Sequence, residues 1–341
     1  MSTDIERNAS LAGLSTFRLP AKATELARLV DPTELPALLD TPLPVMLLGG
    51  GSNTLFTSDF NGRIVLNRLR GIDSEVLDRD RVLVTAAAGE NWHELVRWSL
   101  DRGLWGLENL ALIPGSVGAA PMQNIGAYGV ELAHCLDAVQ VYDRSHGRIE
   151  WLPAADCGLD YRDSRFRSAE PERFAILAVR MELKLDGMPV LEYPSLLDEL
   201  QQHGHAQPDD PRTIAAAVIR IRKRKLPDPD HIANAGSFFK NPVLPDEQAQ
   251  TLIEHHPGLP HWPDRSGHTK LSAAWLIDQL GWRGKSVGDA AVHDKHALVL
   301  INRGNATGAD VLELAGAVRD SVEENCGVRL EVEPLLVGES L

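Results

Sequence analysis

The residues of this chain suited to chemistry fall in a few short stretches. Ser237 follows Ala233-Asn-Ala-Gly236 and precedes Phe238-Phe-Lys-Asn-Pro242. Its hydroxyl is either an ordinary turn group or a placed proton donor. Near the C-terminus, Val328-Arg-Leu-Glu-Val-Glu333 alternates apolar and charged residues. As a strand it puts Val328, Leu330 and Val332 on one face and Arg329, Glu331 and Glu333 on the other. The two carboxylates then meet solvent or, if they line a cleft, crowd each other until one acts as an acid. Arg220, Arg222, Lys223, Arg224 and Lys225 form the densest positive run. It reads as a helix end favoured by the dipole or as a phosphate-binding cluster.

Two glycine-rich stretches complete the set. Residues 108–129, ENLALIPGSVGAAPMQNIGAYG, carry no charge after Glu108. Glycine lets a ligand approach the backbone, proline stiffens the chain between, and Ile113, Val117, Met122 and Ile125 call for burial. The stretch is expected to be a rigid loop wrapping a large, partly apolar cofactor through backbone N–H groups. Gly49-Gly-Gly-Ser-Asn53 follows the apolar run 44–48. It is an anion nest or a tight turn. Thr54 stands where a dinucleotide fingerprint needs glycine, and no Gly-Lys-Ser/Thr follows as in a P-loop.

Composition excludes several classes. The net charge of −14 repels nucleic acid and anionic membrane surfaces, so an anionic ligand needs a local basic pocket. Cys135, Cys157 and Cys326 form neither a disulfide framework nor a metal pattern and suit a reducing cytoplasm. No signal peptide is apparent, and no apolar run nears the roughly 20 residues of a membrane span. H-E-x-x-H, G-x-S-x-G and C-x-x-C are missing from the sequence.

The positioning elements follow from periodicity. Helices are expected at 24–30, at 90–104 with Trp92, Leu95, Val96 and Leu100 inward, and at 213–225. Two more are expected at 271–280, with Leu271, Ala274 and Trp275 inward, and at 310–325, with Val311, Leu314, Ala315, Val318 and Val322 on one stripe. Strands are expected at 44–48, 63–67, 82–85, 297–302 and 328–333. A hairpin is expected around 143–147, and a half-buried strand at 175–185 carries Val179, Met181, Leu183 and Leu185 on one face. The polar stretch 201–211 reads as a domain boundary.

Four stretches taken together resemble one family. They are Gly49 to Asn53, Glu108-Asn-Leu110 through Ile113-Pro-Gly-Ser-Val-Gly118 to Gln123-Asn-Ile-Gly-Ala-Tyr-Gly129, Tyr161-Arg-Asp-Ser164, and Gly236-Ser-Phe-Phe-Lys-Asn-Pro242. The family is that of the UDP-N-acetylenolpyruvoylglucosamine reductases, in its longer form. The resemblance implies an α+β fold. A two-part FAD-binding domain of the vanillyl-alcohol-oxidase type (1–70 and 71–205) would precede a smaller α/β substrate-binding domain (206–341). It implies non-covalent FAD, no histidine being present in the glycine loops, and NADPH as reductant. FAD would lie on Gly49, Gly50, Gly51, Ser52, Asn53, Thr54, Ile113, Pro114, Gly115, Gly118, Ile125, Gly126 and Arg222. Hydride from the flavin would add to the terminal vinyl carbon of UDP-N-acetylenolpyruvoylglucosamine. Arg162 would stabilise the charge that develops beside it, Ser237 would supply the proton, and Glu333 would bind the carboxylate. Glu333 is preferred to Glu331 by its distance from Gly327 and Ser237, and Lys240 or a water is left to assist Ser237. Tyr128, Arg162, Tyr193, Lys225 and Asn241 would hold the substrate. The implied enzyme is a cytoplasmic monomer without nucleic-acid or membrane partners. Its rivals are a flavin oxidase of the same fold and a sugar-nucleotide binder that has lost its flavin.

Overall fold

The computed structural model describes residues 4–264 and 267–341. The chain forms two compact units. The first comprises residues up to 9, then 23–50 and 61–224; the second comprises 10–22, 51–60 and 225–341. The first unit therefore continues past the polar stretch 201–211 to Arg224.

The first unit is built on two sheets. One orders Glu6–Ser10, Lys22–Leu29, Phe60–Asn67 and Val45–Leu48, the last two running parallel. The expected helix at 24–30 is thus a strand. Its alanine, leucines and glutamate favour helix, but Ala23, Leu26, Ala27 and Leu29 are buried here and their backbone pairs within the sheet. Packing of this kind overrides a weak local preference.

The second sheet has the order Arg148–Pro153, Leu136–Asp143, Phe174–Lys184, Arg81–Ala87 and Ile72–Val76. The hairpin at 143–147 closes with Asp143 opposite Arg148. Val179, Met181 and Leu183 are fully buried, whereas Leu185 lies beyond the strand end and is exposed. They pack with the helix Trp92–Asp101, whose Trp92, Leu95, Val96 and Leu100 form the expected apolar stripe. Asn91 caps this helix by accepting from the Glu94 N–H at 3.0 Å. A buried leucine such as Leu95 contributes about 2–5 kcal/mol against alanine, so the stripe holds the helix that carries the glycine loop at its far end.

In the second unit, Ala233–Ser237, Val299–Asn302, Ala290–Val292 and Ser286–Val287 form an antiparallel sheet in that order. It packs with the helix Gly308–Cys326, capped by Thr307 and stopped by Gly327 at φ 67°. The helix expected at 271–280 is Ala273–Gln279, capped by Ser272; Ala273, Leu276 and Ile277 are its buried residues, with Ala274 and Trp275 only partly covered. The expected strand at 328–333 is instead irregular. Only a bridge between Val332 and Phe239 forms, and the strand is Leu335–Val337, parallel to Thr54–Phe56. Val328 and Leu330 are buried, as alternation requires, but Glu333 is buried too. The two glutamates therefore do not share a face. Pro334 follows Glu333 and has no N–H for a ladder.

Candidate active site

In the first unit the loop 108–129 is no bare coil. Three short 3-10 turns, Glu108–Leu110, Val117–Ala119 and Pro121–Gln123, lead to the strand pair Gly126–Ala127 and Val130–Glu131. Part of its backbone is spent on the protein. Val117 N donates to Glu90 O at 2.9 Å, Gly118 N to Ala88 O at 2.9 Å, and Leu112 N to His93 Nδ1 at 3.0 Å. Trp92 Nε1 donates to Leu110 O at 3.0 Å. The loop's rigidity thus comes from the helix and strand behind it. Burial raises the pKa of Glu108, although the N–H of Gly106 binds its carboxyl at 2.6 Å.

Gly49 and Gly50 press against the turn at Gly115 and Ser116. A Cβ on Gly49 would stand 2.1 Å from Ser116 Oγ, and one on Gly50 would stand 2.8 Å from Gly115 Cα. Only glycine permits this approach. Ser116 is buried, and its Oγ is without a hydrogen-bond partner among the described residues. A buried hydroxyl with no partner beside packed glycines fits an anionic group such as a cofactor diphosphate. Ser116 would join Gly49, Gly50, Gly115 and Gly118 in holding FAD there. Chain composition does not single it out, because its signal is the missing partner.

Arg162 lies beside the end of the same loop. Its backbone is left-handed at φ 52°, and Nη2 donates to Gly126 O at 3.0 Å. Ser164 Oγ donates to Met122 O at 2.7 Å, which ties the segment 161–164 to the loop. The Tyr128 ring meets Tyr193 edge-on, with centroids 5.2 Å apart. Burial holds the Arg222 guanidinium below its ordinary pKa; Tyr128 opposes this shift and Arg162 adds to it. The Arg222 Nε is buried without a hydrogen-bond partner among the described residues.

The basic run is divided by the helix Pro211–Lys225. Arg220 and Arg224, four residues apart and so on one face, bind the buried carboxylate of Glu199 at 2.8 and 2.9 Å. Glu199 sits in the helix Pro194–Gln202. Two of the five cations are therefore structural, and Arg222 points elsewhere. Nothing in the local sequence identifies Glu199 as their partner.

In the second unit Ser237 ends its strand opposite Val299, after a bulge beyond Asn234. Gly236 takes φ 72° and its N–H donates to Asn234 Oδ1 at 2.9 Å. A bulge of this kind re-aims the side chain that follows. Phe238 O accepts from the N–H of Glu333 at 2.9 Å, and Glu333 O accepts from Asn53 Nδ2 at 3.4 Å. The structure thus brings Asn53, the Ser237 segment and Glu333 together. Glu331 is exposed and paired with Lys240 at 3.2 Å. This favours Glu333 as the buried carboxyl and disfavours Lys240 as the aid to Ser237. Asn241 Oδ1 accepts from Ala273 N at 3.0 Å, so its NH2 end is turned away from that helix start. Thr54 is buried in the strand paired with Leu335.

His296 was not foreseen from the sequence. Its Nδ1 is buried without a hydrogen-bond partner among the described residues. Burial first, then the charge of Lys225, pushes its imidazole down to about 4.

Of the expected site residues, Gly49, Gly50, Ile113, Pro114, Gly115, Gly118, Ile125, Gly126, Tyr128, Arg162, Tyr193 and Arg222 belong to the first unit. Gly51, Ser52, Asn53, Thr54, Lys225, Ser237, Asn241 and Glu333 belong to the second.

The sheets and helices of the two units define an α+β protein, whose glycine cradle suits a cofactor diphosphate. The FAD binding domain family matches residues 21–153, and the C-terminal domain of UDP-N-acetylenolpyruvoylglucosamine reductase matches residues 228–337. The UDP-N-acetylenolpyruvoylglucosamine reductase of Xylella fastidiosa (strain M12) is 47% identical over 98% of this chain and 96% of its own length. That of Burkholderia multivorans is 47% identical over 95% of both. The crystal structure of the Thermus caldophilus enzyme of this name superposes with a TM-score of 0.69 at 27% identity, covering 98% of this chain and 100% of that one. The chain belongs to the UDP-N-acetylenolpyruvoylglucosamine reductase family.

Proposed function

We infer that the protein reduces UDP-N-acetylenolpyruvoylglucosamine to UDP-N-acetylmuramate for peptidoglycan precursor synthesis, with FAD as cofactor and NADPH as reductant. The observation that carries this reading is the 47% identity along almost the whole chain to reductases of that name. FAD, when bound, supplies a hydride for the terminal vinyl carbon of the substrate.

The chain's own residues do the rest. Negative charge grows on the neighbouring carbon and spreads into its carboxylate, where the Arg162 guanidinium opposes it. The Ser237 hydroxyl gives that carbon its proton, so the double bond ends with one hydride and one proton added. Glu333, buried as it is, suits a carboxyl that hydrogen-bonds the substrate carboxylate in its protonated form. Tyr193, Lys225 and Asn241 take the diphosphate, and Tyr128 meets the substrate from the end of the glycine loop. Arg222, half-buried and with its Nε buried and unpartnered among the described residues, suits the flavin side.

The enzyme works as a cytoplasmic monomer on this reading; its three free cysteines, two of them buried, suit a reducing compartment. No helix among the described residues is long and apolar enough to cross a membrane. The test is a visible spectrum followed by an NADPH assay. A yellow protein should oxidise NADPH rapidly only when the enolpyruvyl sugar nucleotide is present. Protein that stays colourless after FAD is added would leave the flavin-free binder, and NADPH oxidation indifferent to the sugar nucleotide would leave an oxidase.

A further inference from the structure

Asn109 is 1% exposed and lies in the second position of the glycine loop. Its Nδ2 donates twice, to Tyr128 O at 2.8 Å and to Val190 O at 3.0 Å. Both acceptors are backbone carbonyls outside helix and strand, that of Tyr128 in the two-residue turn joining Gly126–Ala127 to Val130–Glu131. Tyr128 is left-handed at φ 50°, a conformation that is unfavourable for a bulky residue and persists only where its surroundings impose it. Val190 lies in 185–193, which contains neither helix nor strand. That segment ends at Tyr193, the residue that starts the helix Pro194–Gln202. Tyr193 is 38% exposed, so burial alone does not order it. On its far side the helix is held through Glu199 to Arg220 and Arg224. On its near side Leu196 is buried in the core, with Val190 and Leu191 packed against it, and Asp80 accepts from Leu185 N and Asp186 N; the side-chain bond between these two anchors is that from Asn109 to Val190.

We propose that Asn109 is a positioning residue, whose one amide group fixes the backbone at Tyr128 and at Val190 and so sets the edge-on Tyr128–Tyr193 pair in its substrate-closing pose. This rests on the reading of Tyr193 as a diphosphate ligand. The chemistry is specific to a side-chain amide. Both targets are acceptors only, so two donors on one atom are required, and Asn109 has them on Nδ2. Leucine would fill the same space and hold neither carbonyl.

The test compares Asn109→Leu with the parent, with Tyr193→Ala and with the double variant. Asn109→Asp, which keeps the shape but lacks the NH2 group, runs in parallel at alkaline pH, so that poor folding of the leucine variant does not void the comparison. Sugar-nucleotide Kd is read from the flavin absorbance, flavin reduction by NADPH from stopped flow, and the order of 186–193 from hydrogen exchange. Either Asn109 variant should raise the Kd about tenfold, as for two lost hydrogen bonds. Flavin content and the rate of reduction should stay as in the parent, and residues 186–193 should exchange faster. In the Tyr193→Ala background the same change should alter Kd by less than about twofold, because both act through one element. Losses that multiply in the double variant, or unchanged exchange at 186–193, overturn the role of Asn109. A Tyr193→Ala protein that binds the sugar nucleotide as tightly as the parent instead removes Tyr193 as a ligand, and this proposal with it.

Discussion

Replacing Ser116 by alanine should move two properties in opposite directions. Ser116 is 7% exposed, and its Oγ lacks a hydrogen-bond partner among the described residues. A buried hydroxyl left unpaired costs about 1–3 kcal/mol. In flavin-free protein the alanine removes that cost and forfeits only the packing of one small atom. The apoprotein should therefore be as stable as the parent or gain up to about 1 kcal/mol, worth about 2 °C in a chain of this size. With FAD the sign reverses. A hydroxyl hydrogen bond to a charged phosphate oxygen is worth about 1.5–3 kcal/mol, so the FAD Kd should rise roughly tenfold to a hundredfold. Scanning calorimetry of the apoprotein and quenching of flavin fluorescence during titration measure the two effects. An apoprotein that melts lower than the parent, with an FAD Kd within about twofold of it, would show that Ser116 serves the protein's own packing and refute the cradle.

Three further outcomes are expected. Glu199→Gln should lose about 1–2 kcal/mol by urea unfolding; the loss is held to that range because Arg220 and Arg224 are 38% and 60% exposed. The Arg220 hydrogen bond, its largest influence, lowers the pKa of Glu199 against its burial. Its contribution should thus be complete above the ordinary carboxylate pKa and fade as pH falls through the lowered value, a loss absent from the glutamine variant. Ser237→Ala should keep flavin and its reduction by NADPH while slowing sugar reduction by about 10² or more; turnover equal to the parent would remove Ser237 from the chemistry. The His296 imidazole should titrate near 4 by NMR. The unfolded chain binds this proton more readily, so the stability it contributes is whole above its usual pKa of 6.5 and is lost as pH falls toward 4. A midpoint at the usual value would show His296 to be solvated.

Periodicity was a good guide wherever a segment buries one face against its own unit. The stripe of Trp92, Leu95, Val96 and Leu100 and that of Val311, Leu314, Ala315, Val318 and Val322 are both buried as written in the sequence. It failed at 22–29, where helix-favouring residues pair into a sheet, and at 328–333, where alternation persists through Leu330 but Glu333 turns inward. In both cases the deciding partner lies far along the chain: the neighbouring strand at 60–67 for the first, and Asn53 and Phe238 for the second.

By itself, then, the sequence determined the kind of ligand and the kind of chemistry. Glycines at Gly49, Gly50 and Gly115 admit a close backbone approach that a Cβ at Gly49 or Gly50 would block, and the order of the short motifs points to one family. Only the tertiary structure decided which chemically similar residues are available. It spends Arg220 and Arg224 on Glu199 and Lys240 on Glu331, and it buries Glu333 while leaving Glu331 exposed. It also leaves the Ser116 hydroxyl without a partner and gives Asn109 two carbonyls to hold. The physical reason is common to all of these. A side chain's charge and hydrogen-bonding groups are set by its type, but whether they are already engaged depends on residues distant in sequence that folding brings alongside.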